Sequence, residues 1–150
     1  MNQLRGIEPT GATALPPRLV LYDGVCGFCN RSVQRVLAAD PEGRLHFAPL
    51  QGTTAAALRG RHTEIPEDID TIVYVETTGR DECVSLRSEA IFRIYAALGV
   101  KSRLTLWLRL LPLSWTDIGY RLFGHVRYRL FGKLDTCSIP PHEQRDRFLP

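Results

Sequence analysis

Two cysteines three residues apart, Cys26 and Cys29, stand between an apolar run and a stretch with helical periodicity. The run Arg18–Tyr22 follows two prolines and predicts a buried strand, central and parallel. After the cysteines, apolar residues recur at helical spacing as far as Asp40-Pro41, which predicts an amphipathic helix that ends there. Residues 45–49 predict a second strand. A strand, a helix and a strand in this order form a βαβ unit, whose crossover is right-handed in nearly all proteins.

The elements that follow complete an α/β fold. The pattern predicts a short helix over residues 53–61, a β-hairpin from residues 71–75 and 83–86, and a helix from Ser88 to Gly99, with Ser88 as its cap. The order β-α-β-α-β-β-α is that of a thioredoxin-like core. Apolar residues at helical spacing then predict additional C-terminal helices over residues 104–112 and 115–130.

One short sequence in the C-terminal region occurs twice. The pentapeptide Tyr-Arg-Leu-Phe-Gly spans Tyr120–Gly124 and again Tyr128–Gly132. An offset of eight residues is close to two helical turns, so the two copies are expected on roughly one face of the helix. Two copies are too few for a repeat architecture. Trp107 and Trp115 are predicted to be core contacts between the last helices.

Length and composition limit the organisation of the chain. The 150 residues correspond to one ordinary domain, and a net charge of +3 is too weak to imply a nucleic-acid partner. Residues 1–17 contain no apolar signal-peptide core and are predicted to be a disordered lead-in. The domain is predicted over residues 18–139, and residues 140–150 are predicted to be an extended tail. The most apolar stretch, Leu104 to Leu113, is far shorter than the ~20 residues of a membrane span.

The number of cysteines gives an expectation about the compartment. Four cysteines are too few and too unevenly spaced for a secreted disulfide scaffold, so a reducing cytoplasm is the expected location. In that compartment a close cysteine pair indicates catalysis or metal binding rather than a structural disulfide.

The positions of the two cysteines predict a division of roles in thiol–disulfide exchange. Such exchange needs an exposed thiolate that attacks and a second thiol that resolves the mixed disulfide. Cys26 lies at the start of the predicted helix, where unpaired N–H groups and the helix dipole favour a thiolate. Cys29 is one turn further along the same face. We therefore predict that Cys26 is the nucleophile and that Cys29, the more buried of the two, is the resolving thiol.

Asp23, three residues before Cys26, has two possible roles. Its carboxylate can accept N–H groups in the turn at the start of the helix. It can also accept the proton of Cys29 during resolution, which would make it part of the catalytic machinery. The sequence leaves both roles open.

A metal site is the alternative interpretation of the cysteine pair. Zinc would need Cys26, Cys29 and two distant ligands, whereas structural zinc sites usually combine two close pairs. Asn30 follows the second cysteine where haem attachment would need histidine. We therefore expect redox chemistry without a metal or other cofactor. Cys83 is predicted to be a small buried hydrophobe in its strand.

Basic residues interleaved with aromatic ones mark the last predicted helix. We expect a solvated helix face with aromatic packing. Contact with anionic lipid or an acidic partner is the alternative function, in which this half of the chain docks and the cysteines only regulate binding. The basic residues are Arg121, Arg127, Arg129 and Lys133.

Several motifs resemble those of the DCC family of thiol–disulfide oxidoreductases. Residues 22–30 contain its D-x-x-C-x-x-C signature in Asp23, Cys26 and Cys29, and residues 86–90 resemble its Arg-Ser-x-Ala helix start. Residues 127–132 with Cys137 resemble its C-terminal block. The resemblance implies a thioredoxin-like fold and protein-disulfide reductase activity with Cys26 and Cys29 as the redox pair. It suggests that Cys137 lies near that pair, whereas a partly buried tail contact is the interpretation that we favour.

This interpretation implies two kinds of partner, a substrate and a reductant. They are a disulfide-bearing protein or a small thiol substrate, and a thiol reductant that restores the pair.

Overall fold

The computed structural model describes residues 15–67, 71–100, 110, 112–133 and 142–150. These ranges contain four strands in one sheet, four α-helices and one 3-10 helix. The strands are β1 (Arg18–Tyr22), β2 (His46–Pro49), β3 (Val73–Thr78) and β4 (Asp81–Leu86). The helices are α1 (Gly27–Ala39), α2 (Thr53–Arg59), α3 (Arg87–Ala97), α4 (Leu113–Phe131) and the 3-10 helix His142–Arg147. The predicted helix over residues 104–112 falls almost entirely outside these ranges, as does Cys137.

The sheet has the strand order β2-β1-β3-β4. Strand β1 is parallel to β2 and antiparallel to β3, and β4 continues antiparallel to β3. This arrangement confirms the predicted thioredoxin-like α/β fold. Strand β1 is internal, as predicted, and its alternating side chains feed two apolar clusters on opposite faces of the sheet. Leu19 and Leu21 face α2, whereas Val20 and Tyr22 face α1 and α3.

The predicted cap of α3 is wrong in detail. Leu86 is the N-cap and makes no side-chain capping bond, and Ser88 lies within the first turn. The hydroxyl of Ser88 instead donates a hydrogen bond to the carboxylate of Asp117 on α4. A tertiary contact therefore uses the side chain that the local pattern assigned to a cap. The predicted end of the helix is confirmed, since Gly99 has a φ of 68° directly after the C-cap.

Helix α4 packs against α1 and α3. In both copies of the pentapeptide the tyrosine points inward and the leucine points outward. The hydroxyl of Tyr120 accepts a hydrogen bond from the backbone N–H of Ile72, and that of Tyr128 donates to Asp23. Leu122 and Leu130 both face outward. The expectation that the copies lie on one face is thus confirmed.

The prediction that Trp115 is a core contact is wrong. Its side chain is largely exposed, because tyrosine, phenylalanine and arginine side chains occupy the inward face of α4. Trp107 lies outside the described residues. No helix in the described ranges is long and apolar enough to cross a membrane.

The end of the chain is not the extended tail that the sequence predicted. After the 3-10 helix, Phe148 forms a parallel bridge with Phe47 and stacks on its ring. Arg147 donates to the carbonyl of Leu45 and to the carboxylate of Asp40. The C-terminal residues therefore cover the polar edge of β2. They supply partners for backbone groups that an edge strand would otherwise leave unpaired.

Candidate active site

Cys26 is the N-cap residue of α1. Its backbone is extended (φ −85°, ψ 118°), and its sulfur accepts the backbone N–H of Cys29 at 3.3 Å. The amide group of Asn30 donates to the carbonyl oxygens of Gly24 (2.8 Å) and Cys26 (3.0 Å), which fixes the turn before the helix. A sulfur in this position faces the positive end of the helix, where a negative charge is stabilised. The local sequence pattern does not indicate this structural role of Asn30, which there only excludes haem attachment.

The predicted order of burial of the two cysteines is wrong. Cys26 is 0% exposed, whereas Cys29 is only half-buried, and both are free thiols. The cause is the chain that follows α4, which lies across the start of α1: Lys133 forms an antiparallel bridge with Cys26. A Cβ atom on Gly27 would come within 2.8 Å of the carbonyl oxygen of Phe131, so only glycine permits this approach. We call Phe131–Lys133 the covering segment.

The thiol of Cys29 is held in its protonated form. Burial raises the pKa of Cys29 strongly, and its hydrogen bond with Cys26 raises it further. The guanidinium group of Arg127 opposes this shift from 3.5 Å away, measured from Nη1 to Sγ. Cys29 thus carries a proton next to a cation that stabilises the thiolate when the proton leaves.

Asp23 and Arg127 form a buried ion pair. Nη2 of Arg127 lies 3.2 Å from Oδ2 of Asp23, with side chains that are 4% and 0% exposed. The other oxygen, Oδ1, accepts hydrogen bonds from the backbone N–H of Val25 and from the side-chain amide of Gln51. Tyr128 also donates to the carboxylate. Every lone-pair direction of this carboxylate thus has a donor, and the turn role of Asp23 is present in the structure.

The prediction of a solvated basic face is wrong for Arg127. Burial disfavours its charge, but nearby Cys29 and Tyr128 outweigh that effect, and the pKa of the guanidinium is raised. A signal for this position was present in the sequence. Tyr120, Phe123 and Arg127 follow each other at intervals of three and four residues, so Arg127 belongs to the aromatic face of α4 rather than to its basic face.

A cavity of about 290 Å³ adjoins the cysteine pair. Its wall is almost entirely apolar and comes from the sheet and from α1, α3 and α4. Cys29, Asp23 and Arg127 contribute polar groups to the wall, and Tyr120, whose pKa burial raises to about 12, also lines it. Phe28 lies against Phe123 and Phe131, with ring centroids 4.9 and 5.0 Å apart.

The remaining described cysteine lies elsewhere. Cys83 is exposed on β4, so the prediction of a buried residue is wrong. Strand β4 is the edge of the sheet, and its register pairs Cys83 with Glu76 on the part of the hairpin that extends beyond the core. Among the described residues, no group of three or more histidine, cysteine, aspartate or glutamate side chains could hold a metal ion.

A sheet of this order with a Cys-x-x-Cys pair at the start of its first helix defines a thioredoxin-like protein with a paired-thiol site. The chain matches the family model described as DCC1-like thiol-disulfide oxidoreductase over residues 20–133. It therefore belongs to that family, which supports a redox role.

Two similar proteins extend this result. The chain is 33% identical over 137 residues to YuxK, an uncharacterized protein of Bacillus subtilis (strain 168), covering 91% of this chain and 96% of that protein. It is 30% identical over 122 residues to a chloroplastic DCC family protein of Arabidopsis thaliana, covering 81% of this chain and 69% of that protein. No solved structure gives a significant match.

Proposed function

We propose that the protein reduces disulfide bonds, either in proteins or in the disulfide forms of small thiols, with Cys26 as nucleophile and Cys29 as resolving thiol. The observation that carries the proposal is the position of Cys26: its sulfur caps α1 and accepts the N–H of Cys29. Cys29 has the complementary property, because its raised pKa keeps it protonated while Cys26 reacts.

The reaction consists of two exchanges. The thiolate of Cys26 attacks one sulfur of the substrate disulfide, a Cys26–substrate disulfide forms, and the other substrate sulfur leaves as a thiolate that takes up a proton. Cys29 then loses its proton and attacks the sulfur of Cys26, which releases the second substrate thiol. The protein gives up two electrons and ends with a Cys26–Cys29 disulfide. An external thiol reductant restores the dithiol, and we place the reaction in a reducing compartment, the cytoplasm.

Arg127 is proposed to assist the second exchange as a positioning residue. Its guanidinium group lies 3.5 Å from the sulfur of Cys29, and Asp23 fixes its orientation through the buried ion pair. Loss of the Cys29 proton is the difficult step, because burial opposes the thiolate. In Arg127→Gln, resolution of the mixed disulfide should therefore shift to higher pH, whereas a purely structural role would lower the rate equally at all pH values.

Asp23 retains both of its predicted roles in this proposal. The turn role follows from its contacts, and the proton-acceptor role is tested by Asp23→Asn. If Asp23 receives the proton of Cys29, the variant resolves mixed disulfides slowly even where it is fully folded. If Asp23 only holds Arg127, Asp23→Asn and Arg127→Gln shift the pH profile of resolution in the same way.

Substrate access requires movement of the covering segment, since Cys26 has no exposed surface. The contact that must open is short, because it consists of the bridge to Lys133 and the approach of Phe131 to Gly27. Phe28 then becomes available as an apolar surface beside the sulfur, as it loses its contact with Phe131.

The direct test is reduction of insulin with dithiothreitol as the reductant. Cys26→Ser should abolish the activity, and Cys29→Ser should accumulate a mixed disulfide between Cys26 and insulin that mass spectrometry detects. Cys83→Ser is the matched control and should react as the unmodified protein does, because Cys83 lies exposed on β4. Full activity of Cys26→Ser, or one tightly bound zinc ion per purified chain, would overturn the proposal.

A further inference from the structure

Helix α4 has an apolar stripe on the face that points away from α1 and α3. Trp115, Ile118, Leu122 and Leu130 are between 65% and 71% exposed, and they recur at intervals of three, four and eight residues. These spacings place them on one side of the helix. We call them the outer stripe. Scattered apolar side chains on a surface are normal, whereas a contiguous row along a helix indicates a binding surface.

The opposite face of α4 packs against described parts of the protein. It carries the contacts of Tyr120 with Ile72, of Phe123 with Phe28, and of Arg127 with Asp23. Rotation of the helix to bury the outer stripe would break all of them. The outer stripe therefore cannot become part of the core of this chain through a rotation of the helix.

The charges beside the outer stripe have one sign. Arg121 and Arg129 are exposed, whereas the single acidic residue of α4, Asp117, is bonded to Ser88. Residues 113–133, which include α4, contain four Lys or Arg and one Asp, and the whole chain has a net charge of +3. The remaining residues therefore carry no net charge, and the net positive charge of the chain lies in this segment.

We propose that α4 docks the protein onto anionic lipid bilayers, with the outer stripe inserted at the level of the headgroups and the basic residues on lipid phosphates. A helix with an apolar stripe and basic flanks lies in the plane of such a surface and draws affinity from both features. Its 19 residues extend over about 28 Å. A second copy of the chain fits less well, because two identical faces would bring basic residues against basic residues.

Docking in this orientation places the cysteine pair close to the membrane. The helix lies between the bilayer and the paired thiols, and its diameter is about 10 Å. The inference about lipid stands independently of the proposed reductase activity, since the outer stripe and the cysteine pair are on opposite faces of α4.

The test uses the full chain and co-sedimentation with vesicles. We expect binding to phosphatidylcholine vesicles that contain about one-third phosphatidylglycerol, weaker binding as salt is added, and little binding to phosphatidylcholine alone. Leu122→Asp should lower the affinity about tenfold or more. Ala57→Asp, which adds the same charge to an exposed position of α2, should leave binding nearly unchanged.

The charge contribution is tested with a matched pair of double variants. Arg121→Glu with Arg129→Glu should abolish binding at moderate salt. Arg31→Glu with Arg35→Glu makes the same change in net charge at exposed positions of α1 and should retain most of the binding. If both pairs lose binding equally, net charge rather than α4 governs the interaction and the proposal is overturned.

Fluorescence locates the contact. In Trp107→Phe, Trp115 is the single remaining tryptophan, and its emission should move to shorter wavelength when anionic vesicles are added. Three results contradict the proposal: no binding to the anionic vesicles at low salt; an emission already at short wavelength that vesicles do not alter; or a dimer in sedimentation analysis that Leu122→Asp converts to monomer. The last result would assign the face to a second copy.

Discussion

Helices α1 and α4 meet at the cysteine pair, but α1 exposes polar side chains to solvent whereas α4 exposes apolar ones. Helix α1 buries Val33 and Leu37 against the sheet and exposes Arg31 and Arg35, as an ordinary amphipathic helix does. Helix α4 turns hydroxyl and guanidinium groups inward and leaves its outer stripe exposed.

The difference shows that the partner decides which face of a helix is buried. The sheet offers α1 an apolar surface. The start of α1 offers α4 a buried carboxylate, Asp23, which needs a cation and hydrogen-bond donors. Removing one member of such a pair is strongly destabilising, because the other charge then remains in an apolar environment.

The largest effect is expected for Arg127→Leu. The variant leaves the carboxylate of Asp23 without its cation, and the free energy of unfolding should fall by about 3–5 kcal/mol. Urea denaturation at pH 7 measures this change. Arg129→Leu, at an exposed position two residues further along α4, is the control and should change stability by less than about 0.5 kcal/mol. Similar losses in the two variants would show that α4 does not use Arg127 as a buried partner of Asp23.

A slightly smaller loss of stability is expected when a leucine is truncated on the apolar face of α1, and almost none when one is truncated on the apolar face of α4. Leu37→Ala in α1 removes a buried side chain and should cost about 3 kcal/mol. Leu122→Ala in α4 removes an exposed side chain and should cost less than about 0.5 kcal/mol without lipid. Thermal and urea unfolding of the two variants give the comparison. A large loss for Leu122→Ala would mean that the protein itself covers the outer stripe.

The contact between the two helices is tested by Gly27→Ala. The added methyl group collides with the carbonyl oxygen of Phe131, which should lower stability by about 2 kcal/mol and displace the covering segment. Alkylation of Cys26 by iodoacetamide, followed by mass spectrometry, should therefore become faster. Gly119→Ala, which meets no neighbouring atom in α4, is the control. An unchanged alkylation rate would mean that the segment does not limit access to Cys26.

The smallest effect concerns alkaline pH. Burial raises the pKa of Cys29, and it raises that of Tyr120 to about 12. The unfolded chain then loses these protons before the folded one does. The stability that they contribute is therefore present below pH 9, and it is lost progressively as pH rises from the unfolded pKa values through the folded ones. Between pH 8 and pH 10 the free energy of unfolding should fall by roughly 1 kcal/mol through these groups.

The alkaline effect is identified by comparison with a double variant. Cys29→Ala with Tyr120→Phe removes both protons and should make the fall between pH 8 and pH 10 shallower than in the unmodified protein. Equal slopes in urea denaturation would show that the two groups titrate alike in the folded and unfolded chains.

The α1 half of this comparison could be predicted from the sequence. The strand before Asp23, the helix after Cys26 and its end at Asp40 each depend on neighbouring residues, so local patterns specify them. The fold class follows from the order of these elements. The family signature was equally local, because it lies within residues 22–30.

The α4 half could be predicted as a helix but not as a contact. The burial of Cys26 depends on Lys133, more than one hundred residues later, and no local pattern carries that information. The burial of Arg127 was missed because two other arginines, Arg121 and Arg129, lie close to it in the sequence. Only its spacing from Tyr120 and Phe123 distinguishes it from those exposed arginines.

The covering segment has a consequence for exposure to peroxides. An accessible thiolate is oxidised by hydrogen peroxide to sulfenic acid and then, irreversibly in most proteins, to sulfinic acid. The sulfur of Cys26 has no surface that solvent can reach while Gly132 and Lys133 lie across the start of α1. We therefore expect the resting dithiol to survive oxidative stress that inactivates open sites, and to become vulnerable only during the moments when a substrate holds the segment aside.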